Sequence, residues 1–133
     1  MHYNPEELNE ILNIFKAEGE EIIEELNDGF LELEKNPTDK TPLKKLFQLA
    51  HSLKGSARML GFNAIQDIAH KLEDILSFFK KEDVDISDYN FQLIYEACDL
   101  LSELIIKTVK QEQSSVSEKV IVFIDKLGAD LYA

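Results

Sequence analysis

Apolar residues return at three- and four-residue steps through five successive stretches of the chain, and nowhere does the two-residue alternation of a half-buried strand persist. That period places the apolar groups of each stretch on one face of an α-helix, so the chain is predicted to be all-α. The first helix runs from about Pro5 to Glu34, with Pro5 near its first turn and the early acids Glu6 and Glu7 suited to the helix dipole. Leu8, Ile11, Leu12, Phe15, Ile22, Leu26 and Leu33 form its stripe, and Asn36-Pro37 stops it. Thr41 is the expected N-cap of the second helix, with Pro42 at its first position and Gly61 at its end. Its stripe is Leu43, Leu46, Phe47, Ala50, Leu53, Ala57 and Leu60. Asn63 is the expected cap of the third helix, which carries Ile65, Ile68, Ala69, Leu72, Ile75, Leu76 and Phe79 and ends in the polar stretch from Lys80 to Asp85. Ser87 opens the fourth, with Phe91, Ile94, Cys98, Leu101 and Ile105 in heptad-like spacing. A weak break follows at Gln111 to Ser117. There Ser115-x-x-Glu118 reads as a capping box for a last amphipathic helix through Val120, Phe123, Ile124, Leu127 and Leu131.

Long amphipathic helices joined by short connections pack as antiparallel neighbours. The expected fold is an up-down-up-down four-helix bundle over about 5–111, with an additional C-terminal fifth helix over about 115–131, the 133 residues forming one domain. A first helix of that length is roughly 45 Å long, which makes the bundle an elongated rod. A rod offers little concavity for a small substrate, so its chemistry is expected on the surface.

Charge narrows the partners. The formal net charge is −12, which argues against nucleic-acid binding and against an anionic membrane surface, since both reward a basic excess. No apolar run reaches the roughly 18 residues of a membrane span, and no signal-peptide pattern opens the chain. A single cysteine, Cys98, excludes an internal disulfide framework and fits a reducing compartment, with the cytoplasm as the expected location. The distribution is uneven: residues 1–35 hold eleven acids and two bases, whereas residues 40–58 hold Lys40, Lys44, Lys45, Lys54 and Arg58 with no acid. The basic stretch is either a solvated helix face or a place for a small anion such as a phosphoryl group.

On a helical wheel His51 falls roughly 120° from the centre of the second helix's apolar stripe, on the solvent-side flank. Lys54 and Arg58 share that flank, and Gly55 lies one turn after His51, almost opposite the core. Imidazole is the side chain best able to offer a neutral nitrogen nucleophile near neutral pH. A lysine one turn away can stabilise phosphoryl oxygens. Glycine in mid-helix costs about 1 kcal/mol relative to alanine, a cost that makes sense where another protein must approach the backbone closely. The third helix supplies His70 and Glu73, both off its stripe. A carboxylate that accepts a hydrogen bond from one imidazole N–H fixes the tautomer and leaves the other nitrogen as nucleophile, and Glu73 is the candidate for that task.

These residues carry a resemblance. Ala50-His51-Ser52-Leu53-Lys54-Gly55-Ser56-Ala57, followed by Leu60-Gly61-Phe62, resembles the phosphorylation motif of histidine-phosphotransfer (HPt) domains. Ala69-His70-Lys71-Leu72-Glu73 narrows the likeness to the N-terminal HPt domain of CheA-type chemotaxis histidine kinases, over roughly residues 5–110. The resemblance implies a bundle histidine, here His51, that accepts the γ-phosphoryl group of ATP from a kinase catalytic domain. It then passes the group to an aspartate on a response-regulator receiver domain. Lys54 matches the lysine that assists the phosphoryl group and Gly55 the residue that permits close approach. His70 and Glu73 match the neighbours that complete the hydrogen-bond network. No cofactor or metal is expected within the domain, because ATP and Mg²⁺ belong to the partner kinase. Arg58 departs from the pattern, standing where many CheA sequences have a glycine or another small residue. It adds phosphate affinity, changes which regulator docks, or is simply solvated.

The chain alone would be a substrate and relay, within a larger histidine kinase or as a free-standing phosphotransfer protein. Two other classes were weighed. A di-iron carboxylate bundle needs paired Glu-x-x-His motifs, and only Asp67-x-x-His70 approximates one here, His51 having Gln48 three residues before it. A non-catalytic interaction scaffold would leave His51 incidental and its replacement without effect. No Gly-rich nucleotide loop is present for an ATP-dependent enzyme acting alone.

Overall fold

A computed structural model describes residues 4–110 and shows four α-helices: α1 (Pro5–Lys35), α2 (Pro42–Leu60), α3 (Asn63–Glu82) and α4 (Asp88–Val109). The expected fifth helix, its capping box and His2 lie outside the described residues. Each helix packs on the next in chain order and α4 closes the ring against α1, while the diagonal pairs do not meet. This is the up-down-up-down bundle expected from short connections. None of the described helices is long and apolar enough to cross a membrane.

The register is anchored at both ends. At one end, Lys40 Nζ in the α1–α2 connection donates to the Val84 carbonyl (2.9 Å) and to Asp85 Oδ1 (3.0 Å) in the α3–α4 connection. At the other, the Phe62 ring in the α2–α3 turn meets Phe15 edge-on at 5.0 Å. Because Phe15 lies ten residues into α1, the first turns of that helix overhang the α2–α3 turn by about 15 Å. The overhang corrects part of the expected core. Leu8 and Ile11 are only half-buried there, and Ile14 is 60% exposed. Deeper in the bundle Ile22 gives way to Ile23, and Phe30 is fully enclosed. Close helix contact explains two glycines. A Cβ on Gly19 would lie 2.7 Å from Ile105 Cδ1, and one on Gly29 would lie 2.6 Å from Leu46 Cδ2.

The stripes of α2, α3 and α4 are buried largely as read, with Phe47 and Leu60 at the margin. Cys98 is in the core, where burial and the nearby Asp99 charge push its thiol up to about 12 and keep it protonated. The Tyr95 hydroxyl ties α4 to α1 by donating to Glu34 Oε1 at 3.1 Å.

Two caps differ from expectation. Thr41 caps nothing with its side chain, because its dihedrals are helical rather than the extended ones of a capping residue; its hydroxyl and its N–H both donate to the Asp39 carboxylate. Asn63 is the first residue of α3 rather than its cap. Only two residues separate α2 from α3, so the turn has no room for an extended capping residue. Gly61 closes α2 in the left-handed region (φ 76°), a conformation that favours glycine, with Phe62 N–H bonding the Ala57 carbonyl (2.9 Å) and Gly61 N–H that of Arg58 (3.2 Å). Ser87 caps α4 as read, accepting from Asn90 N–H at 3.2 Å, and Asn4 caps α1 by accepting from Glu7 N–H at 2.8 Å.

Candidate functional site

The two-residue turn between α2 and α3 determines what faces what. In an antiparallel helix pair, residues equally far from the turn stand side by side. His51 lies eleven residues before Phe62 and Glu73 eleven after it. Ala50, Leu53 and Ala57 of α2 and Ala69, Leu72 and Leu76 of α3 are buried in the shared core. Their small and branched side chains let the helices approach closely enough for the flanking polar groups to touch.

Three side chains meet there. Glu73 Oε2 lies 2.6 Å from His51 Nδ1, and Glu73 Oε1 accepts from Lys54 Nζ at 2.8 Å. An ionised carboxylate only accepts, so His51 Nδ1 carries the proton and donates it. In the neutral ring this leaves the Nε2 lone pair unprotonated. The His51 side chain is 63% exposed, against 12% for Glu73 and 19% for Lys54. The imidazole therefore stands in solvent while the pair that holds it is largely shielded. Phe47, one turn earlier on α2, lies nearly parallel to the imidazole (9° between planes, centroids 6.2 Å apart).

Electrostatics keep the arrangement ionised. Burial pushes the Glu73 carboxyl up, but the hydrogen bonds from Lys54 and His51, together with their charges, outweigh burial and hold it below its ordinary range. A carboxylate in that state is available both to orient imidazole and to offset positive charge on it.

Gly55 is the fourth feature. A Cβ placed there would have no atom within 4 Å among the described residues, so their packing does not call for glycine. Arg58 is exposed in the last turn of α2.

His70 stands apart from this group. Three residues before Glu73, it is turned roughly 60° away on the wheel and faces solvent. Its Nε2 lies 3.7 Å from Asp74 Oδ1 on the same face of α3, and that is the ion pair the structure gives it. Sequence reasoning missed Asp74, although its i, i+4 spacing from His70 is a legible signal. It also missed Phe47 as a neighbour of the imidazole, having placed it at the edge of the core. His70, Glu73 and Asp74 have potential ligand atoms within 4.8 Å of one another, the nearest approach to a metal set among the described residues. Glu73 is already engaged by His51 and Lys54, which leaves two exposed ligands on one turn of helix.

Comparison with known proteins bears on the whole chain. Residues 10–110 match the Hpt domain family. The chain is 32% identical over 101 residues to the sensor histidine kinase CheAY of Helicobacter pylori, an alignment that covers 76% of the chain and spans 13% of that relative's length. The CheA phosphotransferase domain from Thermotoga maritima superposes with a TM-score of 0.71 at 34% identity, covering 76% of this chain and 96% of that one. The phosphorylated P1 domain of CheA3 from R. sphaeroides, solved in complex with CheY6, shares the fold at a TM-score of 0.81 and 19% identity, covering 93% of this chain and 97% of that one.

Proposed function

The chain belongs to the Hpt domain family and groups with the phosphotransfer domains of CheA; from that premise we propose that it relays phosphoryl groups in chemotaxis-type two-component signalling, with His51 as the phosphorylated residue. The observation that carries this reading is the 2.6 Å contact of His51 Nδ1 with Glu73, in a ring otherwise open to solvent.

The steps balance without any further reactant. The Nε2 lone pair attacks the γ-phosphorus of ATP held by a kinase catalytic domain. The bond from phosphorus to the bridging oxygen breaks, and ADP departs with that electron pair. No proton has to leave, because Nδ1–H remains donated to Glu73 and the positive charge formed on the ring faces a carboxylate. Lys54, anchored on the other oxygen of Glu73, is placed to offset charge on the phosphoryl oxygens. In the second step a receiver aspartate attacks phosphorus and the N–P electrons return to Nε2. Gly55 gives either partner access to the α2 backbone. Mg²⁺ and nucleotide are assigned to the partner, and a reaction supplied by ATP belongs to the cytoplasm. The H. pylori relative, a sensor histidine kinase, supports a kinase as donor, and the CheY6 complex of the R. sphaeroides domain supports a receiver as acceptor. His70, paired with Asp74, is assigned a supporting part at the edge of the network rather than contact with the imidazole.

The test is labelling with γ-labelled ATP and a CheA catalytic core. The parent chain is expected to take up acid-labile, alkali-stable label and His51→Gln to take up none. Equal labelling of both would move the phosphorylated residue elsewhere.

A further inference from the structure

Five bases and no acid occupy residues 40–58 of a chain whose net charge is −12. Three of the five are accounted for by contacts within the fold: Lys40 by Val84 and Asp85, Lys45 by Glu25 at 3.3 Å, and Lys54 by Glu73. Lys44 and Arg58 remain. Both are exposed, and among the described residues neither side chain engages an acid.

Their placement is symmetrical about the site. Lys44 lies seven residues before His51 and Arg58 seven after. A heptad drifts only about 20° around an α-helix, so all three share one stripe of α2, with His51 at its midpoint. Fourteen residues of helix place the two cations about 21 Å apart along the axis, each about 10 Å from the imidazole. That spacing sets them apart from Lys54, which lies one turn from His51 and is tied to Glu73. Between them α2 presents exposed Gln48 and half-buried Gly55, and beside Arg58 the Met59 side chain is 73% exposed.

We propose that Lys44 and Arg58 form a two-point electrostatic clamp that captures and orients the acidic rim of the receiver domain accepting the phosphoryl group. This rests on the relay reading above. A receiver aspartate that takes a phosphoryl group with Mg²⁺ must sit among the carboxylates that hold the metal, so its rim carries negative potential. Such a rim is repelled by a chain of net charge −12 unless it meets a local positive stripe, and α2 presents one centred on the reactive ring. One cation would attract the rim, whereas two on either side of His51 also fix the direction in which it lies along α2.

The experiment begins with chain phosphorylated by the kinase core and freed of ATP. Its transfer to the cognate receiver is then followed across a series of salt and receiver concentrations. Lys44→Glu and Arg58→Glu are compared with the parent, with Lys110→Glu, an exposed base at the end of α4, the helix diagonal to α2, as control. An acid in the first turn of α2 suits the helix dipole, so Lys44→Glu keeps the fold, and Arg58→Gln serves if Arg58→Glu loosens the last turn. Each clamp variant is expected to slow second-order transfer about 3- to 10-fold at low salt and to flatten its salt dependence. The rate at saturating receiver and the Lys110→Glu control should match the parent. Unchanged transfer and salt slope would overturn the clamp, as would a loss confined to labelling by the kinase. Failure of the parent to take label in the first step would instead strike the relay reading itself.

Discussion

His51 and Glu73, eleven residues on either side of Phe62, face each other across α2 and α3 with Nδ1 2.6 Å from Oε2. The carboxylate is largely shielded and the ring largely exposed, so the contact fixes the tautomer without obstructing Nε2.

Glu73→Gln tests that division of labour. The amide keeps the shape but has one accepting oxygen for two donors, so the imidazole loses its bias toward Nδ1–H or Lys54 loses its anchor. Phosphorylation by the kinase core is expected to slow about 10- to 100-fold, with the bundle still folded by circular dichroism. An unchanged rate would remove Glu73 from the mechanism.

Lys54→Ala separates chemistry from stability in another way. Deleting the ammonium removes one charge-assisted hydrogen bond to Glu73, a loss of about 1–3 kcal/mol, which shifts the urea midpoint without abolishing folding. Phosphoryl transfer in single-turnover assays is expected to fall about 10- to 100-fold, beyond what the stability change accounts for. Transfer at the parental rate would reassign Lys54 to structure alone.

Gly55→Ala should make the isolated chain more stable and the relay slower. A methyl group there meets no atom within 4 Å, and alanine in mid-helix is favoured by about 1 kcal/mol, so the melting temperature rises. On the proposed relay the same methyl would stand where a partner approaches, and transfer to the receiver is expected to drop. Gly61→Ala provides the contrast. At φ 76° alanine is strained, and the melting temperature falls. A lower melting temperature for Gly55→Ala would place the reason for this glycine within the fold.

Acid should weaken the fold through Glu73. Its carboxyl is held below the ordinary range, so the unfolded chain binds the proton more readily than the folded one. The resulting stabilisation is complete above the ordinary carboxylate value of about 4.3 and is lost as pH falls through the lower folded value. Urea midpoints of the parent and Glu73→Gln, measured from about pH 7 down to about pH 3, should converge at the acid end. A gap that stays constant would show that Glu73 contributes no proton linkage.

Much of this was legible in the residues. Periodicity located all four described helices, and the wheel put His51 and Lys54 on one flank of α2. Glu73 was identified from its position on the next helix and its chemistry. What escaped depended on neighbours rather than on the segment itself. Thr41 reads as a cap until the connection that ties it to Asp39 gives it helical dihedrals, and Asn63 until a two-residue turn leaves it no room. Leu8 and Ile11 keep the helical period where α1 has outrun α2, so their stripe finds little to pack on. His70 shares a motif with Glu73, yet a three-residue step turns it to solvent and to Asp74.

The proposed relay turns on one nitrogen, and ¹H–¹⁵N correlation of imidazole-labelled protein reads it directly. Before phosphorylation, His51 is expected as the Nδ1–H tautomer in the parent, with that preference lost in Glu73→Gln. After phosphorylation, phosphorus coupling should appear on Nε2 while Nδ1 keeps its proton. Coupling on Nδ1, or on His70, would contradict the assignment of Glu73 as the group that directs the reaction.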